Sequence, residues 1–582
     1  MCETGMGDAV ARQSPRLSVR RASRLFRGFN FPLASNDNSL VETIHLRARE
    51  CMTPAANIAR MSPDGTQLLS DAPADKGEGP VPKLLGLSGL LLLGSVALIL
   101  RLHNLGARSI WYDESFSAMI ARLRWSQFVL TLWNREGNMA FYYFLLHFWE
   151  QLGSNPVFLR SLSVIFSVAA LPMTYLLGTR LFDRRTGAVA AWLLAINAYD
   201  VRYAQEARSY ALVVLLSILS TWFLARNLQQ SSRAWGAYTT TNVLLVYSHF
   251  FGGLVIIAQL LSLLLLPRAA VPWRSVGRSL FWFAVFVIPV PLFIIRLGTD
   301  ALKWIPQPDA RQVLDALAVM AGNGGRTLLM LSAVSLLIAG FRGWQTWRSR
   351  QSVCERWPYA LIFAWLIVPI AASLLASYAQ PFFVTRFLIF CLPALLLGVA
   401  AGITQLRPSA LAVALFLAIS MFALTGTVAA YRKGLDDTDA VGDWPAASSY
   451  IFEHAQPGDG IFFFLTLGRV TFEYYRSQRS PAQVWPEALY APNESELGWK
   501  DFVNLPLGDV LAHTRPASER VWVVFIRDDP NGARPSRASV VTRAVFAKNR
   551  HAIAERKFRG LTVMLFSRDL DEHSALLLQP AK

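Results

Sequence analysis

Two neighbouring carboxylates, Asp113 and Glu114, stand shortly after the first long apolar run of the chain. Neighbours on a helix point about 100° apart, so these two side chains are expected to have different roles. A carboxylate in a partly dehydrated cleft at a membrane surface can have a raised pKa and act as a general base. The alternative is that Asp113 is a helix N-cap that binds amide groups of the following turn.

Further acids and arginines recur beside later apolar runs. Glu136 precedes the next apolar segment, either as a second site acid or as a loop charge paired with Arg135. Glu206 and Arg208 lie between two apolar runs, and an Arg at mid-bilayer costs about 2.5–3.5 kcal/mol. We therefore expect them to face a cavity or each other; the alternative is a short external connector.

Arg386 enters a long apolar helix from the predicted outer side, where a basic residue is unusual and an anion is a reasonable ligand. His249, at an apparent helix break, is either a structural histidine or a ligand or acid. Two acids and two arginines at one face fit sugar transfer from a lipid phosphate. One carboxylate takes the proton of an acceptor hydroxyl, and guanidinium groups stabilise the leaving phosphate. Such chemistry requires no cofactor, and no set of metal ligands is evident.

The composition shows where these residues must lie. Hydrophobic residues make up 53% of the 582 and charged residues only 16%, which is typical of a polytopic membrane protein. The net charge of +17 comes from basic clusters between apolar runs, as in cytoplasmic loops, so nucleic acid is not an expected partner. The cysteines form neither a disulfide pattern nor a zinc motif; they are Cys2, Cys51, Cys354 and Cys391.

Residues 1–82 form a polar, Arg-rich tail that is predicted to be disordered. It is either a regulatory tail or an upstream extension of the reading frame. Apolar segments long enough to span a membrane follow it. They lie near 84–102, 139–178, 186–200, 210–226, 237–267, 279–297, 327–341, 359–378, 384–404 and 408–430. The segment 139–178 is interrupted at Asn155, and 237–267 is interrupted near Gly252. The alternation of basic loops allows only one net crossing within 139–178, so 139–152 is a partial segment or a later assignment is wrong.

The elements around the candidate site follow from the pattern. The first external loop covers about residues 103–138, and apolar residues Phe116 to Leu123 repeat with helical spacing. This predicts a juxtamembrane helix in the interface with its apolar face toward lipid. Residues 436–582 are predicted to form a small soluble α/β domain outside the membrane. Its predicted elements are a helix at 444–454, a turn at 457–459 and strands at 460–465, 521–526 and 561–566.

Six short motifs follow one another along the chain, each at a particular place relative to an apolar segment. They are Leu105-Gly106 with Trp111–Glu114; Glu136 with Tyr142–His147; Leu159–Ser163; Tyr203–Tyr210; Tyr247–His249; and Arg386–Leu388 with Leu392-Pro393. In these motifs the chain resembles the GT-C membrane glycosyltransferases of the protein O-mannosyltransferase type. It is most similar to the bacterial branch of aminoarabinose transferases of lipid A and core-sugar transferases of lipopolysaccharide. The resemblance covers roughly residues 84–404.

The resemblance implies a catalytic acid at Asp113, a second acid at Glu136, and donor-phosphate contacts at Arg208 and Arg386. Glu114, Glu206 and His249 are possible supporting residues. The Asp-Trp pair that opens the family's soluble domain is similar to Asp443-Trp444. One departure is Met139-Ala140, where the family commonly has two prolines that fix the entry of the helix.

The predicted architecture is thus an all-α GT-C module of about eleven spans at residues 83–430 with a C-terminal α/β domain. The predicted function is inverting sugar transfer from a polyprenyl-phosphate donor to an acceptor hydroxyl of a glycan, lipid or protein. It is expected at the outer face of the bacterial cytoplasmic membrane. The alternatives are a transporter or flippase for a lipid-linked solute, although no internal repeat is evident, and a non-catalytic scaffold or sensor.

Overall fold

A computed structural model describes residues 80–229, 234–298, 305–349, 353–433 and 442–480. In the rest of the C-terminal region it describes 484–490, 497, 502, 506–512, 514, 518–526 and 536–568. Nearly all of the tail predicted to be disordered at 1–82 lies outside these residues.

The helices of the N-terminal three quarters of the described chain are α1 (Pro80–Leu102), α2 (Tyr112–Arg122), α3 (Trp125–Thr131), α4 (Ala140–Glu150), α5 (Pro156–Leu181), α6 (Arg184–Ile196), α7 (Ala198–Ala204), α8 (Tyr210–Gln229), α9 (Trp235–Ser248), α10 (Gly253–Leu263), α11 (Trp273–Val287), α12 (Pro289–Leu297), α13 (Ala310–Ala321), α14 (Gly325–Arg348), α15 (Val353–Ala376), α16 (Leu392–Gln405) and α17 (Ser409–Lys433). Short π or 3-10 segments lie at Leu132–Glu136, Gly137–Met139, Phe250–Gly252, Arg268–Ala270 and Thr385–Cys391.

The described helices include six that are long and apolar enough to cross a membrane, and the bent pair α11–α12 gives a seventh candidate span. This count is below the predicted number of about eleven. The difference arises because several apolar runs fold as shorter pieces: the run at 186–200 divides at Asn197 into α6 and α7. A continuous apolar run therefore does not by itself give one straight span.

The two predicted interruptions are confirmed. In the segment 139–178, α4 has only 11 residues and α5 starts anew at Pro156, where the Asn155 side chain accepts a hydrogen bond from the Phe158 amide. In 237–267, α9 ends at Ser248 and α10 begins at Gly253. The short α4 fits the expectation that this piece is a partial segment.

The most enclosed span is Thr385–Gln405, which comprises the Thr385–Cys391 segment and α16. In its apolar stretch of 18 residues, 89% is buried inside the protein. Close backbone contacts require small residues around it. A Cβ atom on Gly402 would lie 1.9 Å from the Ser335 carbonyl oxygen of α14. By contrast, only 28% of the corresponding apolar stretch is buried in α14 and in α17, so these two helices form the periphery of the bundle.

The juxtamembrane helix α2 is present, but its predicted lipid-facing orientation is wrong. Phe116, Met119, Ile120 and Leu123 are all buried within the protein. They are covered because α2 packs between α4 and a helix of the C-terminal region. It is α3 that exposes apolar side chains, including Trp125, Val129 and Leu130.

The C-terminal region contains α18 (Trp444–His454), β1 (Gly460–Phe463), α19 (Gly468–Ser477), β2 (Glu487–Ala488), α20 (Leu507–Ala512), β3 (Arg520–Ile526), α21 (Arg537–Ala547), β4 (His551–Phe558) and β5 (Leu561–Ser567). The strand order is β2-β1-β3-β5-β4. Strand β1 is parallel to β2 and β3, and β5 is antiparallel to β3 and β4.

The predicted helix at 444–454, the turn and three strands of this region are confirmed, whereas β2 and β4 were not predicted. Strand β4 is exposed over most of its length and has a charged, non-alternating sequence. Both faces of β3 are covered: Trp522 and Val524 pack in one apolar cluster, and Val521, Val523 and Phe525 pack in another. The sheet is therefore the core of this region.

Candidate active site

Asp113 lies in the first turn of α2 and its carboxylate is partly exposed, at 21% of the side chain. The N-cap of α2 is Trp111, and no side chain caps the helix. The alternative interpretation of Asp113 as an N-cap is therefore wrong. Its carboxylate makes no capping bond and is oriented toward Arg208, 4.0 Å from that guanidinium.

Arg208 joins the parts of the site. Its Nη1 donates to the Asp113 carbonyl (3.2 Å), the Ser117 hydroxyl (3.4 Å) and the Tyr143 hydroxyl (3.0 Å). Its Nε is buried and has no hydrogen-bond partner among the described residues. A buried guanidinium donor without an acceptor is costly, and an anion bound beside it would satisfy it.

Glu136 lies on the other side of Tyr143, whose hydroxyl donates to its Oε2 at 3.2 Å. Burial raises the pKa of Glu136, against the opposing effects of Arg208 and Tyr143. Glu136, Tyr143, Arg208 and Asp113 thus form one continuous polar cluster. The two predicted acids and the first predicted arginine lie together.

Arg386 and His249 border the same cluster. Arg386 is within electrostatic range of Asp113 and Tyr210, and its guanidinium lies 5.7 Å from the Phe387 ring. His249 is buried with its ring 5.1 Å from that of Phe387, and it is within electrostatic range of both arginines. Its position at a helix break is confirmed, because it ends α9.

The tautomer of His249 is assigned by its hydrogen bond. The Phe251 amide donates to Nδ1 at 3.3 Å, so the neutral ring carries its proton on Nε2. Nε2 is buried and has no hydrogen-bond partner among the residues that the structure describes. It is a second buried donor without an acceptor beside the two arginines.

Glu114 lies outside this cluster. Arg160 donates to both of its oxygens, at 2.8 and 2.7 Å, and the Ala207 amide donates to Oε1 at 2.9 Å. Both charged side chains are fully buried. Burial opposes ionisation, but Arg160 and the amide keep the pKa of Glu114 below its ordinary value. Its role is to fix the start of α2 against α5.

Glu206 is buried and pairs with Arg202 at 3.6 Å. Its carbonyl oxygen accepts a hydrogen bond from the Arg208 amide at 2.8 Å, which shapes the loop between α7 and α8. Glu206 thus supports the backbone that carries Arg208.

Several polar residues around the site were not among the site residues predicted from the sequence. Tyr143 and Tyr210 contact or face the arginines, and Arg160 binds Glu114. Arg101 and Asp200 form a fully buried pair at 2.6 Å that joins α1 to α7. A charged residue inside or beside an apolar run is expensive unless paired, and this is the signal that indicates Arg101, Arg160 and Asp200.

The C-terminal region contacts the element that carries Asp113. The Ser115 hydroxyl lies 2.8 Å from that of Thr471 on α19, and the Ile110 amide donates to the Tyr475 hydroxyl at 2.8 Å. Asp443, of the predicted Asp-Trp pair, caps α18 through the Ala446 amide at 3.3 Å. The pair therefore orders the start of this region rather than entering the site.

The cluster combines a partly exposed carboxylate, a second, half-buried acid and cationic or N–H donors. Such a set can take a proton at one point and stabilise an anion beside it. Among the described residues, no group of three or more His, Cys, Asp and Glu side chains is placed to hold a metal ion. The donor set suits an organic anion such as a phosphate.

No family model and no curated protein matches this sequence. Solved structures do match. ArnT from Cupriavidus metallidurans in the apo state has a TM-score of 0.55 at 13% identity, over 85% of this chain and 100% of that chain. ArnT from the same organism bound to undecaprenyl phosphate has a TM-score of 0.49 at 12% identity, over 84% of this chain and 99% of that chain. The apo oligosaccharyltransferase of Archaeoglobus fulgidus has a TM-score of 0.40 at 15% identity, over 71% of this chain and 62% of that chain.

The similarity to apo ArnT extends over the whole of that protein and over most of this chain, so it includes both the membrane helices and the C-terminal sheet region. At this level of identity, the similarity establishes the fold. It confirms the fold that was predicted from the order of the motifs. The chain is a multi-pass membrane protein with the GT-C fold of ArnT.

Proposed function

We propose that this protein is a glycosyltransferase that moves a sugar from a polyprenyl-phosphate donor to an acceptor hydroxyl. The observation that carries this proposal is the environment of Arg208. Its guanidinium lies 4.0 Å from the Asp113 carboxylate, and its buried Nε has no partner among the described residues. A site with a base beside an unsatisfied cation suits a reaction in which a proton is removed and a phosphate leaves.

The proposed reaction is a single displacement. The acceptor hydroxyl transfers its proton to Asp113 and its oxygen bonds to the anomeric carbon of the donor sugar. The bond between that carbon and the phosphate oxygen breaks on the opposite face, which inverts the configuration. The electron pair stays on the phosphate, whose added negative charge is stabilised by Arg208, Arg386 and the Nε2–H of His249. Glu136 positions Tyr143 and, through it, Arg208.

The donor is proposed to enter from the lipid, since its phosphate would lie at the ends of membrane helices and its prenyl chain requires an apolar environment. We place the site and the C-terminal domain on the outer side of the bacterial cytoplasmic membrane. The alternation of basic loops supports this orientation. The domain boundaries proposed are 83–430 for the membrane module and 436–582 for the soluble domain.

The proposal is tested with purified protein and a panel of polyprenyl-phosphate sugars, by following release of free polyprenyl phosphate. Asp113→Asn should reduce turnover by roughly 10²–10⁴-fold, the range typical for removal of a general base. Folding should be unchanged, because this carboxylate is partly exposed and caps no helix.

The matched control is Asp315→Asn, the same change at an exposed position of α13. It should retain wild-type turnover. Wild-type turnover in Asp113→Asn would refute the assignment of the base. Absence of turnover with every donor in the wild-type protein, together with transport of a lipid-linked solute, would favour the transporter alternative.

A further inference from the structure

A cavity lined by several arginines lies at the opposite end of α2 from Asp113. It has a volume of about 480 Å³ and lies between the α2–α3 corner, α19 and the described residues Arg479, Trp485 and Leu497. The side chains that line it are Met119, Arg122, Leu123, Arg124, Gln127, Glu473, Arg476, Ser477, Arg479, Trp485 and Leu497.

The cavity has an excess of positive charge. Of the lining residues that the structure describes, four are arginines and one, Glu473, is an acid. Arg476 pairs with Glu473 at 2.5 Å. Arg122 pairs with Glu150, which lies behind it, and also donates to Ser477. Among the described lining residues, four guanidinium groups and one carboxylate meet at this cavity, and like charges that converge on one cavity favour the binding of an anion.

The four arginines come from two parts of the chain that are far apart in sequence. Arg122 and Arg124 belong to the membrane module, whereas Arg476 and Arg479 belong to the C-terminal domain. The cavity exists because α19 packs on α2. Since neither part contains all four charges, this is a site built by the tertiary structure and not a basic run of the sequence.

The cavity lies beside the surface that faces lipid. Helix α3 begins directly after Arg124, and it exposes Trp125, Val129 and Leu130. Exposed tryptophan and aliphatic side chains next to arginine are typical of a helix at the membrane interface. A ligand of this cavity is therefore a molecule at the membrane surface.

The cavity is distinct from the place proposed for the donor phosphate. Arg122 follows Asp113 by nine residues on one helix, which corresponds to about 13 Å along its axis. Arg208 contacts the start of α2, near Asp113. The side chains that line the cavity include neither Arg208 nor any residue to which its side chain donates a hydrogen bond.

We propose that this cavity binds a phosphate or carboxylate group carried by a molecule at the membrane surface. Two molecules have this chemistry: an anionic sugar acceptor and the headgroup of an anionic phospholipid. The acceptor interpretation rests on the proposed glycosyltransferase function, since it would extend from the cavity to Asp113. Binding of the anion itself does not depend on that function.

The test measures binding of glucose 6-phosphate, glucuronate and glucose to the full-length protein in phosphatidylcholine nanodiscs, by saturation-transfer NMR. The two anions should bind and glucose should bind at least tenfold more weakly. In Arg476→Gln/Arg479→Gln, binding of the anions should fall at least tenfold. Arg476→Lys/Arg479→Lys retains the charge and should retain most of the binding.

The control is Arg537→Gln/Arg559→Gln, which removes two exposed arginines of the same domain outside the cavity. Its anion binding should equal that of the wild-type protein. Equal binding of glucose and the anions, or unchanged binding in Arg476→Gln/Arg479→Gln, would overturn the proposal. Thermal melting shows whether Arg476→Gln/Arg479→Gln is folded. If it is misfolded, the single variants Arg476→Gln and Arg479→Gln are used instead, and their anion binding is expected to fall in the same way.

The two sources are distinguished by replacing part of the phosphatidylcholine with phosphatidylglycerol. Suppose that glucose 6-phosphate no longer binds in nanodiscs that contain phosphatidylglycerol, while it still binds to the Lys variant in phosphatidylcholine nanodiscs. This result assigns the cavity to the phospholipid headgroup. Retained binding assigns it to an acceptor. Because these measurements use no turnover, an inactive protein that binds the anions would contradict only the proposed function.

Discussion

At the scale of single residues, the site is defined by buried donors without acceptors. The Nε atoms of arginine and the Nε2 of histidine lose water on burial, and a structure normally replaces that water with an acceptor. Arg208 and His249 each have such an atom beside the Asp113 cluster. One phosphate bound between them, as proposed for the donor, would give both donors an acceptor.

His249 allows this explanation to be tested with amide mimics. A glutamine places its N–H near the position of Nε2, whereas an asparagine places its polar atoms near Nδ1. We expect His249→Gln to keep most of the affinity for polyprenyl phosphate. His249→Asn should bind roughly tenfold or more weakly, since a hydrogen bond to a charged group contributes about 1.5–3 kcal/mol.

The measurement is equilibrium binding of polyprenyl phosphate to the purified variants in nanodiscs. Equal affinities for His249→Gln and His249→Asn would mean that His249 has a structural role through the Phe251 amide and does not contact the ligand.

At the scale of elements, the position of Asp113 depends on how α2 is fixed at both faces. On one face, Glu114 binds Arg160 of α5, and Arg160 also donates to the Leu105 carbonyl at 2.7 Å. On the other face, Thr471 and Tyr475 of α19 contact α2 and the residue before it. A helix fixed in this way can present one partly exposed carboxylate without moving.

Glu114→Gln should therefore destabilise the protein. The change leaves the buried Arg160 guanidinium without its counter-ion, and loss of one partner of a buried pair costs roughly 3–5 kcal/mol. We expect a clearly lower Tm in detergent, measured by differential scanning fluorimetry. Turnover should fall as well, since the start of α2 would no longer be fixed.

Asp315→Asn is the control for this prediction as well, because it breaks an exposed pair with Arg311. Its cost should not exceed about 1 kcal/mol. A Glu114→Gln variant as stable as Asp315→Asn would show that the buried pair does not stabilise α2.

At the scale of the whole molecule, the C-terminal domain and the loop that carries Asp113 must lie on one side of the membrane. Ser109 donates to the Gly442 carbonyl at 3.3 Å, and Tyr474 donates to the Ser154 carbonyl at 3.3 Å. These contacts join the domain to the ends of the membrane helices. The alternation of basic loops predicts that this side is the exterior.

This orientation is tested with a matched set of serine-to-cysteine variants in a chain without its native cysteines. Ser126 and Ser480 are exposed on the side of the candidate site, and Ser349 follows α14 at the predicted cytoplasmic side. A membrane-impermeant thiol reagent added to intact cells should label Ser126→Cys and Ser480→Cys. Ser349→Cys should be labelled only after permeabilisation.

Labelling of Ser349→Cys in intact cells, with protection of the other two, would invert the orientation. The site would then face the cytoplasm, and a donor on the outer leaflet would be excluded.

Much of the fold could be predicted because its signals are local. Spanning helices are recognised from apolar length, and the helix breaks at Asn155 and near Gly252 are marked by residues that interrupt a helix. The number of spans could not be predicted in this way, since short helices such as α4 and α7 are kept in place by packing. The orientation of α2 was predicted wrongly because its apolar face is covered by α19, which follows about 350 residues later.

The sequence by itself determined that this is a multi-pass membrane protein and which acids and arginines are candidates for its chemistry. Only the tertiary structure shows which partners Asp113 and Glu114 have. Both are acidic and adjacent, and they differ in direction by about 100° around the helix. Arg160 of α5 binds the one that points inward, and Arg208 from the loop before α8 approaches the other. Those partners come from separate elements, so no local pattern could assign them.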